Sequence, residues 1–416
     1  MKRSVARQLA WRYMRGKGSA NAVPILSRIS MVAIAVASGA MIIVFSAFNG
    51  FDHLVKDMYK TFYPDIRISA TKGKFFSIDK NKLSAIAHTE GVHTTTRVIE
   101  DNALAISNDQ QKIVTLKGIE NSYFDVNDVR PYMMQGVDSI STGNSITRPT
   151  AITGDQIAKK LATDVHNVFS ELTLKYPNAN NTNPALDPVN AYQSLTLNPI
   201  GIFRVDGGEF DDKYVLAPLS LVQTLFRSEG KYSSIEVSTD NTQTEAVKTQ
   251  LQKLLGSGFK IETRYEQNKT LYMVMGTEKW AVYIILLLVL LIASFNMIGA
   301  LAMLVMEKQK DIAILKAMGA TLKTIRRIFI FEGLLWSLTG GLSGLALGAL
   351  LCFLQQTFGF VKINGGNGFL VPAYPVSMEL PDFLLIIATI MVVGLLAAWY
   401  PAIRATRTED PTLKGA

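Results

Sequence analysis

The stretch "VMEKQKDIAILKAMGAT", residues 305–321, changes character twice. It closes an almost uncharged run from Trp280 to Met306, turns ionic at Glu307, Lys308, Lys310 and Asp311, and returns to apolar residues at Ile312, Leu315 and Met318. That i, i+3, i+6 spacing predicts a short helix with one apolar edge. A second long apolar run follows. A charged helical segment held between two runs suited to lipid reads as a cytoplasmic helix joining two crossings, whose edge fits a partner's groove and whose charges fix register. The same pattern suits an interfacial helix that only stitches the crossings together.

Four apolar runs, near 29–48, 280–306, 328–356 and 382–403, are each long enough to cross a hydrocarbon core of about 30 Å at about 1.5 Å per residue. The first exceeds the h-region of a signal peptide, and no A-x-A-like cleavage site follows it, so it is expected to remain as an anchor. Residues 1–28 carry seven Lys or Arg and no acid; 307–327 carry six basic and two acidic residues, and 404–416 three and two. This bias predicts that all three segments are cytoplasmic. Residues 49–279, with 25 basic and 27 acidic residues, and 357–381 then lie outside. The net charge of +8 therefore reports topology and gives a nucleic-acid role no support. The expected fold is an α-helical membrane protein with four transmembrane helices and a large mixed α+β periplasmic domain between the first and second.

Strand-like alternation marks 65–70, 97–107, 112–119, 213–218, 233–239 and 259–265. Two stretches, 78–92 and 242–265, each read as a helix, a glycine stop and a strand, which suggests related α/β halves. Residues from about 120 to 230 are expected to form a second lobe. Within them, "YPNANNTNPALDPVNAYQS", 176–194, lies between two strand-like segments and reads as a long irregular loop on a hairpin, either a variable surface loop or a functional one. Cys352, the lone cysteine, lies in the third apolar run, so no intramolecular disulfide braces the external domain.

Catalytic signatures are missing. The chain has no G-x-x-x-x-G-K-[ST] phosphate loop, and its four histidines show no H-E-x-x-H pattern. "GGLSG", 340–344, fails the G-x-S-x-G spacing. Gly340, Gly344 and Gly348 instead form a small-residue face that admits close approach of another helix, in the same subunit or across a subunit boundary. Glu332 is the acid well inside an apolar run; beside Arg326 and Arg327, interfacial pairing is its expected role.

"LAWRYMRGKG" (9–18), "SAFNGFD" (46–52), "SFNMIGALAMLVMEKQKDIAILKAMGA" (294–320) and "AAWYPAIRATRTEDP" (397–411) together resemble the permease subunits of the bacterial lipoprotein-releasing ABC transporter, the Lol-type LolC/LolE family within the MacB/FtsX superfamily. The resemblance implies a MacB-like periplasmic core domain at 49–279 and an FtsX-like permease domain at 280–406. It implies a non-catalytic subunit in the bacterial inner membrane that binds no cofactor, with ATP and Mg on a separate LolD-like ATPase. A second permease copy, identical or a sister chain, lipoprotein cargo, membrane lipid and a LolA-like periplasmic chaperone are the other implied partners. The segment 307–327 corresponds to the coupling helix, with Glu307, Lys308, Asp311, Ile312, Leu315 and Met318 expected at the ATPase. Phe45, Phe48, Phe51, Met297 and Ile298 are expected around the cargo's acyl chains. Pro177, Asn183, Pro184, Ala185 and Pro188 belong to the expected chaperone-binding loop. The alternative is a related mechanotransmitting permease for efflux or cell-division signalling.

Overall fold

The computed structural model describes residues 22–143, 148–167, 170–178, 191–205, 210–240, 242–362 and 373–407. They fall into two compact units, one taking in residues up to 54, 273–362 and 373 onward, the other 55–272. The longer helices in chain order are α1 (Ala22–Lys60), α2 (Lys80–Ala87), α3 (Thr244–Leu255), α4 (Lys269–Glu307), α5 (Gln309–Ala317), α6 (Leu322–Phe358) and α7 (Leu380–Arg407).

Among the described residues, α1, α4, α6 and α7 are long and apolar enough to cross a membrane. At about 1.5 Å per residue the 39 residues of α4 reach roughly 58 Å, so this helix outlasts its apolar run and carries Lys269, Glu278 and Lys279 in its first turns. The helices α1, α4, α6 and α7 share one buried core that includes Met41, Phe45, Leu301, Phe329, Trp336, Ile390 and Ala398. Glycine on α6 sets how closely the backbones approach. A Cβ on Gly340 would meet the Met31 carbonyl at 2.6 Å, one on Gly344 would strike the Ala35 carbonyl, and one on Gly348 would meet Gly39 O at 2.8 Å. The face predicted from the four-residue repeat is therefore a seam with α1 in the same chain. A second face of α6 meets α7, where Gly341 abuts Ile390, Gly333 abuts Ala398, and Gly394 of α7 abuts Ser337. Ser38 Oγ donates to the Gly341 carbonyl at 3.1 Å across the first seam.

The other unit is built on ten strands: β1 (Ile66–Ala70), β2 (Val92–Ser107), β3 (Gln110–Ile119), β4 (Met133–Gly136), β5 (Thr150–Gly154), β6 (Leu172–Pro177), β7 (Tyr192–Phe203), β8 (Tyr214–Pro218), β9 (Ser234–Thr239) and β10 (Phe259–Thr263). The strands expected from alternation are β1, β2, β3, β8, β9 and β10, and the hairpin-flanking segments are β6 and β7. The short β4 and β5 carry too little apolar periodicity to announce themselves. Strands β10, β1, β9 and the first part of β2 pair antiparallel in that order, and with α2 and α3 they make a split β-α-β lobe. The two helix-glycine-strand stretches are its halves: Gly91 and Gly256 both have positive φ, and Ile86, Val247, Leu251 and Leu255 share its core.

Six strands close a ring, β2 to β3, β8, β5, β7, β6 and back to β2. Closure leaves this small barrel no open edge within the ring. Leu116, Leu172, Leu174, Leu197 and Val215 fill it, with Ile157, Leu161 and Val222 from short helices packed against them. The second lobe thus differs from the expected 120–230 span, because it also takes β3 and residues 99–107 of β2. Strand β2 continues through both lobes as one strand, and its alternation switches face where they meet, with Val98 and Ile99 buried in succession. A buried ionic cluster sits where they join. Lys117 Nζ lies 3.0 Å from Glu236 Oε1, Asn127 donates to Glu236 Oε2 at 2.6 Å, and Arg67 pairs with Glu100. Burial alone would raise the Glu100 carboxyl, but Lys117 and Arg67 hold it below the ordinary carboxylate range.

Candidate functional site

The opening stretch folds as a punctuated helix. At Lys308 the backbone departs from α4, and α5 begins at Gln309 with Lys308 Nζ 3.5 Å from Asp311 Oδ2. It ends in a Schellman motif: Ala320 N–H donates to Leu315 O and Gly319 N–H to Lys316 O, both at 2.9 Å. Gly319 takes φ +83°, which glycine adopts without a Cβ penalty. Thr321 then caps α6, its Oγ1 accepting from Thr324 N–H. The "MGAT" of the sequence is thus a stop followed by a start, which fixes the length of α5.

The side chains of α5 divide differently from expectation. Ile312 is only 4% exposed and belongs to the core of its own bundle. Leu315 is half-buried, and the outward apolar groups are Ile314 at 59% and Met318 at 77% exposure. Ile312 is therefore an anchor, and the free edge is Ile314 and Met318. The i, i+3 spacing found the apolar stripe, but both neighbours of a short helix compete for it, and the bundle takes Ile312. Glu307 and Asp311 are partly exposed beside it.

Glu332 on α6 also departs from expectation. It is fully buried, and neither carboxylate oxygen has a hydrogen-bond partner. Arg326 instead stacks over the Trp399 ring at 4.0 Å, and Arg327 is exposed. Six and five residues separate Arg326 and Arg327 from Glu332, far enough around the helix for them to face elsewhere.

Phe45 and Met297 are buried in the bundle core, Ile298 packs against it, and Phe48 is half-buried. Among the five residues expected around acyl chains, Phe51 is exposed. The outward face of α4 is Ile284, Leu288, Ile292 and Phe295. Pro177 ends β6, and the hairpin stem extends to Asn178 N–H donating to Ala191 O. Asn183, Pro184, Ala185 and Pro188 lie outside the described residues.

A polar knot that no local motif announces joins three helices. Asn49 Nδ2 of α1 donates to Asp382 Oδ2 of α7 at 2.6 Å, while Lys279 Nζ of α4 donates to Asn49 Oδ1 at 2.8 Å and lies 3.1 Å from Asp382 Oδ1. Lys279 also lies over the Phe45 ring at 5.7 Å. Gly50 admits the chain at Pro375 and Val376, which a Cβ there would strike. Asn49 and Gly50 of "SAFNGFD" thus have physical reasons: one satisfies a buried carboxylate, the other lets a backbone pass. The partners of Asn49 lie 230 and 333 residues away, beyond the reach of any local pattern.

These features define a polytopic membrane protein whose helix bundle carries a punctuated helix between α4 and α6 and a polar knot at its other end. Residues 27–254 match the MacB-like periplasmic core domain and residues 283–409 the FtsX-like permease C-terminal domain. The chain belongs to the family of permeases that join a MacB-like periplasmic core domain to an FtsX-like permease domain. It is 27% identical to the lipoprotein-releasing system transmembrane protein LolE of Haemophilus influenzae, over 96% of this chain and 97% of that one. Its identity to LolC of Neisseria meningitidis is 23%, over 96% and 97%. The periplasmic region of MacB from Actinobacillus actinomycetemcomitans superposes with a TM-score of 0.36 at 12% identity, spanning 53% of this chain and 98% of that one. The protein is an inner-membrane protein with a periplasmic domain.

Proposed function

We propose that this chain is the permease subunit that extracts lipoproteins from the outer leaflet of the inner membrane and passes them to a periplasmic chaperone. A separate LolD-like ATPase, holding ATP and Mg, drives it, and a second permease copy completes the membrane part. The periplasmic domain then lies between the first and second crossings, and both chain ends and 307–327 face the cytoplasm. The observation that carries the mechanical reading is α5: anchored through Ile312, stopped by a Schellman motif at its C-terminal end, and presenting Ile314 and Met318 outward. Such a helix moves as one body with the bundle when a partner pushes on it. Near full-length similarity to LolE and LolC supports lipoprotein as the cargo.

In this reading the triacylated cargo enters sideways between α1 and α4 of paired subunits. Its acyl chains meet Phe51 and the outward face of α4, with Phe48 and Ile298 at the edge and Phe45 and Met297 supporting from behind. The loop containing Asn183, Pro184, Ala185 and Pro188 receives the LolA-like chaperone. Gentle detergent extraction tests the proposal. An ATPase that co-purifies with acylated proteins supports it, whereas an ATPase with a cell-wall hydrolase, or with an efflux adaptor, assigns the chain to the mechanotransmitting alternative.

A further inference from the structure

A cavity of about 500 Å³ opens in the membrane unit between the second half of α1 and the last turns of α6. Ile43 and Ala47 form one wall, Cys352 and Leu351 another, and Phe360 and Tyr374 belong to the segments that leave α6 and approach α7. No residue of α4 lines it. The lining is almost wholly apolar, and its amide, Gln355, is committed elsewhere: Oε1 accepts from Val361 N–H at 2.8 Å, and Nε2 donates to the carbonyls of Val361 and Tyr374. That bridge fixes the cavity rim and leaves little polar capacity to hold water, which needs two to four partners.

We propose that this cavity binds one acyl chain of an outer-leaflet membrane phospholipid. Its volume of about 500 Å³ argues for one chain: at roughly 30 Å³ per methylene, close to a water's share of the liquid, it holds about seventeen methylenes. Its surroundings argue for lipid, because Leu351, Phe360 and Val361 are exposed on a bundle that sits in the bilayer. Its position argues for a resident lipid over cargo, since a triacylated cargo entering between α1 and α4 meets a different side of α1. A chain seated here packs beside the α1 to α6 glycine seam and props the two helices and the α6-to-α7 connection together. The choice of resident lipid over cargo rests on the entry side and topology proposed above, and the lipoprotein arm of the test separates the two.

The test uses the full chain reconstituted in vesicles of phosphatidylethanolamine and phosphatidylglycerol containing a phospholipid with a diazirine in its palmitoyl chain. After irradiation, peptide mapping should place the adduct on the segments containing Ala47, Cys352 and Phe360 at several times the level found at Leu288 and Ile292 on the outward face of α4. Ala47→Trp, which fills the cavity, should cut cavity labelling about tenfold and leave α4 labelling unchanged; Cys352→Phe is the second variant should the first fail to fold. Cavity labelling no higher than that of α4, or insensitive to both substitutions, overturns the proposal. In a parallel arm a lipoprotein bearing a diazirine acyl chain replaces the lipid. Labelling of the cavity by the lipoprotein and not by the phospholipid assigns it to cargo and also overturns the proposal. Absence of labelling from both shows that protein fills the space, with the same consequence.

Discussion

Asp382 is 4% exposed, and the Asn49 amide reaches its carboxylate at 2.6 Å although 333 residues separate the two. With Lys279 on the same carboxylate, the hydrogen bond ties α1, α4 and α7 at one end of the bundle. Neutral helix surfaces slide at small cost. A charge held this way resists sliding, because separating the partners leaves a buried ion without its cation.

Lys279→Met should therefore destabilise the bundle by about 3 kcal/mol, the order found when one partner of a buried pair is removed. Adding Asp382→Leu should recover most of the loss. Thermal unfolding of the purified protein in detergent, followed by tryptophan fluorescence, measures both. A single variant as stable as the parent would show that the knot carries no stability.

Gly344→Val should prevent close packing of α1 on α6, since even a Cβ there strikes the Ala35 carbonyl. Gly299→Ala on α4 has open space around it and should be neutral or stabilising by about 0.5–1 kcal/mol through helix propensity. Yield of monodisperse protein after solubilisation distinguishes the two. Equal yields contradict the seam.

Ile314→Asp with Met318→Asp should abolish ATPase association and leave thermal stability within about 0.5 kcal/mol, as expected for exposed positions. Ile312→Asp should instead lower stability by several kcal/mol, because it buries an unpaired charge. Pull-down of the ATPase beside a melting curve separates docking from anchoring. If the exposed pair is silent in the pull-down, α5 is not the contact.

Burial pushes the Asp211 carboxyl up to about 6, with Asp155 adding to the shift, and its Oδ1 has no hydrogen-bond partner. The folded protein holds this proton more tightly than the unfolded chain, whose aspartates titrate near 3.9. Stability contributed here is full below about pH 4, falls as pH rises to about 6, and is level beyond. Asp211→Asn should thus stabilise the periplasmic unit on the order of 2 kcal/mol at pH 7.5 and by clearly less at pH 4.5. Pulse proteolysis in urea at the two pH values checks this. A gain that does not grow with pH contradicts it.

Membrane crossings were legible because their signal is local: twenty apolar residues leave few other outcomes in water or lipid. The α/β lobe was legible for the same reason, through Gly91 and Gly256 and the alternation on either side. A three-residue spacing marks an apolar stripe without saying which neighbour claims it, and the bundle takes Ile312. Phe45 and Met297 read as accessible for a similar reason, since lipid-facing and core-facing residues of a membrane helix share one composition. Asn49, Lys279 and Asp382 belong to three distant segments, and only the folded bundle brings them together. Barrel closure was hidden in the same way, because β6 meets β2 through pairings such as Leu104 with Lys175 that no local pattern encodes.

Strand β2 serves both lobes of the periplasmic unit without a break, pairing with β9 from Val92 to Val98 and with β3 from Ile99 to Ser107. A hinge needs residues whose φ and ψ can change cheaply. At the crossing of the lobes every residue is instead held in a ladder, and the Lys117 cluster is buried beside it. Sixteen residues at about 3.3 Å each make a bar of roughly 53 Å. A push on one lobe should therefore turn the other with it, so that the periplasmic unit acts as a lever whose arm is a single strand.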